Sequence, residues 1–207
     1  MKKFELTAEF VTNVFGKKLF RIKALVAFGD VEKGELGGFI EKEDNLSHDG
    51  NAWVSGNAWV SGNAQVSGNA QVSDNAWVSG NAWVYGDARV YGDAHVSGNA
   101  WVYGNAHVSG NAHVSDNAWV SGNAHVSGDA RVSGDADYAV VIGFGRCFRT
   151  TTFFRCKDKI LRVQCGCFYG DLAQFREIVK KTHGDSKYAK EYLAIADLME
   201  LHFSDEC

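Results

Sequence analysis

A six-residue repeat fills residues 50–137 and constrains the fold more than any other feature of the sequence. Its consensus is Gly-(Asn/Asp)-Ala-x-Val-(Ser/Tyr), and fifteen consecutive units keep the alanine. Aspartate replaces the glycine only at Asp74 and Asp116. A fixed short period is typical of architectures in which similar units stack on one another, so it is recognised before single strands or helices are assigned. We therefore expect this segment to form a β-helical rod.

The alternation within one unit predicts which side chains enter the rod. Successive side chains of a strand point to opposite faces, so an inward Val60 places Ala58 inside and Trp59 outside. The opposite register would bury the Trp, Arg, His and Gln side chains in a narrow tube. Gly56 begins the corner, because Gly, Asn and Asp accept a positive φ at low cost. The 23 glycines and the absence of proline agree with this role.

The charge distribution argues against nucleic-acid binding by the repeat segment. Residues 50–136 contain six Asp, two Arg and no Lys or Glu, a balance of −4 that equals the charge of the whole chain. Binding to a phosphate backbone requires clustered Lys and Arg, so nucleic-acid binding by the rod is not expected. No apolar run reaches the roughly 18 residues of a membrane span, and the N-terminus lacks the apolar stretch of a signal peptide. We expect a soluble cytoplasmic protein without membrane partners.

The spacing of aliphatic residues, with a small residue four places after each, resembles the hexapeptide signature of left-handed β-helices. In that superfamily three hexapeptides form one triangular coil. The resemblance implies an all-β core, built as a left-handed parallel β-helix of about five to six coils. Coils stack at strand spacing, ~4.8 Å, so five coils would form a rod roughly 24 Å long.

The segments that flank the repeats predict two smaller units. Residues 4–24 alternate around a turn at residues 15–18, which predicts an N-terminal β-hairpin. Residues 36–46 are interpreted as an imperfect first coil. After the rod we predict a strand at 139–142, a hairpin at 150–155 and 160–167, and helices beginning near Asp171 and Ser186. The predicted domains are 1–30 (hairpin and cap), 31–138 (hexapeptide β-helix) and 139–207 (a small α+β domain of ββαα type).

Both ends of the chain resemble hexapeptide proteins that are common in phages and prophages. Residues 36–43 (LGGFIEKE), followed by residues 45–47 (NLS), are similar to their N-terminal motif. Residues 165–168 (CGCF), together with residues 182–185 (THGD), are similar to their C-terminal motif. Such proteins often carry a "polymer-forming" label. The resemblance implies a viral or prophage setting and brings no catalytic residues with it.

Coils of eighteen residues sort the outward positions into three columns, which contain all six tryptophans. None of these tryptophans is therefore expected in the core. On one face we predict a contiguous aromatic patch of Trp83, Tyr85, Trp101, Tyr103 and Trp119. Monomers rarely expose large apolar patches, and aromatic residues are typical anchors of interfaces. We expect this patch to bind a partner, while stacked aromatic rings also stabilise neighbouring strands.

The histidines form vertical pairs on the other two faces, His107 with His125 and His95 with His113. Two histidines one coil apart can share a metal, and in this respect the chain resembles the γ-class carbonic anhydrases, whose zinc is held by His between subunits. Zinc needs three or four convergent ligands, whereas each column supplies two. These four residues are candidate ligands, but we favour a solvated polar ladder and expect no metal and no cofactor.

The cysteines at 147, 156, 165 and 167 all follow the rod. On a single strand, the Cys-Gly-Cys sequence would place the thiols of Cys165 and Cys167 on the same face. The spacing does not match the paired Cys-x₂-Cys knuckles of zinc sites. We therefore predict buried free thiols.

The favoured functional hypothesis is a non-enzymatic scaffold or binding protein of phage or prophage origin. It would use the aromatic patch to self-associate as a trimer or dimer, or to engage a host protein, a defence factor or a small signalling molecule. Two alternatives stay open: a hexapeptide enzyme, either a zinc hydratase or an acyltransferase, and carbohydrate binding on the aromatic rings. Acyltransferases of this fold use loops that leave the coils as walls of their sites. No loop interrupts residues 50–137, which argues against acyltransferase chemistry.

Overall fold

The computed structural model describes residues 1–204, with the exception of the side chain of Asp135. The chain begins with an antiparallel meander of β1 (Phe4–Thr12), β2 (Lys18–Ala24) and β3 (Leu36–Ile40). A 3-10 turn, Glu43–Asn45, follows β3. Ile40 then pairs in parallel with Val60, and Leu46 forms a bridge with Val66. The predicted hairpin and the imperfect first coil are both confirmed.

The rod consists of two-residue strands, one in each of the first fourteen repeat units. In chain order these strands, β4 to β17, are Trp53–Val54, Trp59–Val60, Gln65–Val66, Gln71–Val72, Trp77–Val78, Trp83–Val84, Arg89–Val90, His95–Val96, Trp101–Val102, His107–Val108, His113–Val114, Trp119–Val120, His125–Val126 and Arg131–Val132. Each strand pairs in parallel with the strand one coil later, as Trp59 does with Trp77. Residues 1–204 therefore contain a parallel β-solenoid of about five coils.

Each face of the solenoid carries one sheet. Face A continues the N-terminal meander in the order β1-β2-β3-β5-β8-β11-β14-β17, face B has the order β4-β7-β10-β13-β16, and face C has the order β6-β9-β12-β15. Every repeat alanine and valine from Ala52 to Val132 is at most 1% exposed. The predicted register, with Ala and Val inside, is therefore confirmed.

Asparagine ladders hold the corners of the solenoid together. On one corner Asn63 donates a side-chain hydrogen bond to Asn81, Asn81 to Asn99, and Asn99 to Asn117, at 3.2, 3.0 and 3.1 Å. Each donor lies 18 residues before its acceptor, so the bonds run parallel to the rod. Such ladders of stacked amides add to the backbone pairing of parallel, in-register strands.

The N-terminal meander covers one end of the rod, and its loop between β2 and β3 buries Trp53. This side chain is 2% exposed, and the ring of Phe28 meets it edge-on at a centroid distance of 5.4 Å. The prediction that no tryptophan lies in the core is thus wrong for Trp53. Its position is outward with respect to the coil, but the aperiodic loop between β2 and β3 folds over that part of face B.

Lys3 ties the same end of the rod to the meander. Its Nζ donates to the carbonyl oxygens of Gly50 and Ala52, at 3.3 and 2.9 Å, and lies 4.7 Å from the centre of the Phe28 ring. Burial lowers the pKa of Lys3 to about 8. The ammonium therefore satisfies carbonyl groups that the corner leaves without a partner strand.

The fifteenth repeat unit does not belong to the rod. Tyr138 stands where the other units have valine, and Asp135–Asp137 forms a 3-10 turn. The chain then enters β18 (Tyr138–Phe144), β19 (Arg149–Arg155), β20 (Leu161–Cys165) and β21 (Phe168–Asp171), which pair antiparallel in that order. The segment at 139–142 thus belongs to this sheet and does not continue the rod.

The helices α1 (Leu172–His183) and α2 (Lys187–His202) pack on this sheet. Asp171 caps α1 by accepting a hydrogen bond from the Gln174 N–H at 2.8 Å, which confirms the predicted helix start. The α+β character is confirmed, although the sheet has more strands than the ββαα prediction. Phe153 faces the helices, whereas Phe154 joins the core of the rod, so β19 covers the open end of the coils.

No helix within residues 1–204 combines the length and the apolar composition that a membrane crossing needs. The domain limits at residues 30 and 138 remain predictions.

Candidate functional site

The predicted aromatic residues of face C lie in contact with one another. Trp83 stacks on Trp101 at 5.5 Å between ring centres and 12° between ring planes, and Trp101 stacks on Trp119 at 5.1 Å and 9°. Parallel pairing of β9, β12 and β15 positions them, because it places identical positions of successive coils next to one another. The result is a continuous ladder of indole rings along the rod.

A second ladder runs beside the first. Tyr85 stacks on Tyr103 at 5.0 Å and 2°, and it meets the Trp101 ring edge-on at 6.1 Å. Burial, and then the neighbouring Tyr103 hydroxyl, raise the pKa of Tyr85. The structure therefore brings together all five residues of the predicted patch, which we call the aromatic face: Trp83, Tyr85, Trp101, Tyr103 and Trp119.

The stacking decides which ligands the aromatic face can accept. Both flat sides of the Trp101 ring are covered by neighbouring indoles, so a sugar ring or a base cannot stack on it. The ladder presents ring edges to the solvent, and Trp83 and Trp119 are 40% and 47% exposed. This geometry suits a partner that packs against a broad apolar strip.

The C-terminal sheet extends this strip, which the sequence did not indicate. The Tyr138 hydroxyl donates to the carbonyl oxygen of Trp119 and so fixes the start of β18 beside the aromatic face. Further along β18, Ile142 and Phe144 are 52% and 42% exposed. Residues 121–123 of the rod and Ile142 line a common hollow of about 320 Å³. The exposed apolar surface therefore continues from face C onto β18.

The histidine ladders form as predicted on faces A and B. The rings of His95 and His113 stack at 4.7 Å and 2°, and those of His107 and His125 lie 4.7 Å apart at 38°. Within residues 1–204, no group of three His, Cys, Asp or Glu side chains converges as a metal site would require.

Burial and neighbouring cations shift the histidine pKa values in one direction. Burial lowers the pKa of all four residues. Arg131 lowers the pKa of His95 and His113 further, with a smaller opposing effect of Asp93 on His95. His125, and then Arg89, lower the pKa of His107 further. The ladders are therefore predominantly neutral at pH 7.

We expect the rod to lose stability as the pH falls below about 6.5, the ordinary histidine pKa. The folded-state pKa values are lowered, so in this range the unfolded chain binds more protons than the folded chain, and acidification favours unfolding. Thermal unfolding followed by circular dichroism should give a lower Tm at about pH 5 than near neutrality. The double variant His95→Gln, His113→Gln should lose less Tm over this range. The exposed His202→Gln is the control, and equal losses in all three proteins would contradict the prediction.

The prediction of buried free thiols is wrong for two of the cysteines. Cys156 is buried, but Cys147 and Cys167 are exposed. Cys147 lies in the turn between β18 and β19, and Cys167 lies in the turn between β20 and β21, in which Gly166 adopts a φ of +59° and reverses the chain. Cys165 thus ends one strand, and Cys167 lies in the turn instead of continuing that strand.

Comparison with known proteins supports the repeat architecture. A family model described as "YdcK Beta solenoid repeat" matches four overlapping segments, residues 64–80, 70–86, 82–98 and 88–104. These segments lie entirely within the rod and include much of face C. No curated protein matches the chain. The rod is therefore similar to a known β-solenoid repeat in the part that carries Trp83 and Trp101.

Proposed function

We propose that this protein is a non-enzymatic scaffold that self-associates through the aromatic face, as a dimer or trimer. We further propose that it belongs to the hexapeptide β-helix superfamily, originates from a phage or prophage, and acts in the host cytoplasm. The observation that carries the first proposal is the contiguous ladder of five aromatic rings. The resemblance of residues 36–47 and 165–185 to phage proteins supports the second.

The chemistry of face C favours a second copy of this chain as the partner. The residues that its strands present outward are Gln, Ser, Trp and Tyr, so no charge opposes the approach of an identical surface. Faces A and B instead present Arg131 and Arg89 beside their histidines. Closed symmetric assemblies require a surface that complements itself. Two ladders with the same repeat distance meet this requirement, because the exposed ring edges of one can pack in register against the ring edges of the other.

The composition of the aromatic face and of the adjacent strand β18 also suits an interface between subunits. Interface cores are enriched in Trp and Tyr and depleted of charged residues, which describes the aromatic face and the adjacent strand β18. Ile142, which is 52% exposed and lines a hollow with residues 121–123 of the rod, adds apolar area beside face C. A host protein or defence factor would need a separate surface that is complementary to this strip, whereas a second copy of the chain already has the same aromatic face.

We expect the double variant Trp101→Ala, Tyr103→Ala to weaken self-association by roughly tenfold or more, since hot-spot aromatics contribute at least 2 kcal/mol each. Sedimentation velocity and native mass spectrometry would measure the assembly state of wild type and variant. The matched control is Trp59→Ala, Trp77→Ala, which removes an aromatic pair in edge-on contact from neighbouring coils of face A. We expect the control to remain assembled. A monomeric wild type, or equal assembly of both variants, would contradict the proposal.

A further inference from the structure

A cleft in the C-terminal region lies apart from the aromatic face. It opens between the β18–β19 turn, the β20–β21 turn and helix α1, and its volume is about 350 Å³. This volume falls within the range of pockets that hold small molecules. Nothing in the proposed scaffold function uses this cleft.

The two parts of the C-terminal motif meet in this cleft. Cys165, Cys167 and Phe168 line it from the second turn, and Thr182 and His183 line it from the end of α1. Residues 165–168 and 182–185 are separated by 13 residues in the sequence, and β21 and α1 bring them to the same cleft. Residues from both parts of the C-terminal motif therefore line one cleft of the folded chain.

The floor of the cleft is apolar and aromatic. Phe175, Val179 and Tyr192 are 2%, 4% and 6% exposed. The Tyr192 hydroxyl is directed at the carbonyl oxygen of Phe144 at 3.4 Å, and burial raises the pKa of Tyr192 to about 12, so the ring stays neutral. Gly145 allows this approach, because a Cβ there would collide with the Tyr192 hydroxyl and its φ is +70°. A flat apolar group could therefore lie on this floor.

The rim of the cleft is cationic. Arg146 and Arg149 are exposed, and no Asp or Glu lines the cleft among the described residues. The nearby Glu191 accepts a hydrogen bond from the Gly145 N–H at 3.0 Å and lies 3.5 Å from Lys187, so it is already engaged. Arg149 lies across Gly166, where a Cβ would collide with its guanidinium. The rim thus presents guanidinium groups without a carboxylate partner among residues 1–204.

The turn that carries these arginines is strained. Phe148, between Cys147 and Arg149, has a φ of +50° and is 70% exposed. A bulky residue rarely adopts this conformation, and such outliers concentrate at ligand-binding and catalytic sites. The strained turn therefore places both Arg146 and Arg149 at the rim of the cleft, at a cost in local stability.

We propose that this cleft binds a small organic anion with a flat apolar part. The acidic group, a carboxylate, phosphate or sulfonate, pairs with Arg146 and Arg149, since guanidinium groups bind such oxyanions in forked geometry. The apolar part lies on Phe175, Val179 and Tyr192. This site is independent of the aromatic face, so either proposal can fail without the other.

The probe for this site is 8-anilinonaphthalene-1-sulfonate, which combines a sulfonate with flat apolar rings. We expect saturable fluorescence enhancement with one probe per chain. The variant Arg146→Gln, Arg149→Gln should bind the probe roughly tenfold or more weakly, whereas the neutral dye Nile red should bind both proteins equally. The control Arg89→Gln, Arg131→Gln makes the same change of charge on the rod and should bind like wild type.

Thiol protection locates the probe independently. Cys147 and Cys167 are exposed and line the cleft, so a bound anion should slow their reaction with Ellman's reagent in a Cys207→Ser background. The protection should disappear in Arg146→Gln, Arg149→Gln. The proposal is overturned if no saturable binding occurs or if thiol reactivity is unchanged. It is also overturned if binding survives in the arginine variant but is lost in Trp101→Ala, Tyr103→Ala.

Discussion

Replacing Trp53 with alanine is expected to lower the free energy of unfolding by about 3–5 kcal/mol, the usual cost of removing a large buried aromatic side chain. Trp53 is the largest fully buried side chain and packs against Phe28 at 5.4 Å. Gly37 also approaches it closely, since a Cβ there would lie 2.7 Å from Trp53 Cζ2. The cavity would open between the first coil and its cap. Urea unfolding followed by circular dichroism measures the difference.

Two further variants make this prediction sharper. Trp83→Ala removes the same side chain from a position that is 40% exposed, so we expect a loss of about 1 kcal/mol. Trp53→Phe should cost much less than Trp53→Ala, because the buried Trp53 Nε1–H has no acceptor among the described residues and an unsatisfied donor costs roughly 1–3 kcal/mol. Equal losses for Trp53→Ala and Trp83→Ala would show that the cap does not bury this residue.

Trp53 also shows where the repeat pattern stops being informative. Its place in the coil is the same as that of Gln71 and Arg89, and the period correctly predicts that all three point away from the rod interior. Whether an outward residue meets water depends on what covers the face. Phe28 lies in an aperiodic loop, and only the tertiary structure brings it onto Trp53.

The aromatic face could be predicted because the repeat period is constant, so the neighbours of each outward residue in the next coils follow from its sequence position. A register of 18 residues sets Trp83, Trp101 and Trp119 side by side. No insertion interrupts the repeats between these residues, so the predicted register stays correct from one coil to the next. The pairing sets which rings are neighbours but not their angle, which is 12° and 9° on face C and 72° between the equally paired Trp59 and Trp77.

The C-terminal cleft could not be predicted in this way. Its walls come from the β18–β19 turn, the β20–β21 turn and α1, whose relative placement depends on side-chain packing around Phe175 and Tyr192. The sequence identified the motif at residues 165–168 but placed Cys165 and Cys167 on a single strand. The positive φ of Gly166 separates them, and a glycine in an apolar run is compatible with both a strand and a turn.

Alanine in place of Gly98 is expected to destabilise the rod by about 3 kcal/mol, through backbone strain and a steric clash. Gly98 adopts a φ of +68°, and an added Cβ would lie 2.7 Å from the backbone nitrogen of Asp116 in the next coil. The corner cannot relax outward without breaking the Asn81–Asn99 hydrogen bond at 3.0 Å. Thermal and urea unfolding of the purified variant would measure the loss.

Gly122 provides the control that separates strain from clash. Its φ of +64° is nearly the same, but nothing lies within 4 Å of an added Cβ, because the following coil has left the rod. Gly122→Ala should therefore cost about 1 kcal/mol, from the left-handed backbone alone. Asp116 is accommodated because its counterpart in the next coil, Gly134, is extended at a φ of −153°. Asp74, whose counterpart Gly92 lies within the rod, is accommodated by a hydrogen bond of 3.0 Å that its carboxylate accepts from the Gly92 N–H, which an alanine side chain cannot form. Equal losses at Gly98 and Gly122 would mean that stacking between coils does not restrict these corners, and that only the backbone conformation selects glycine there.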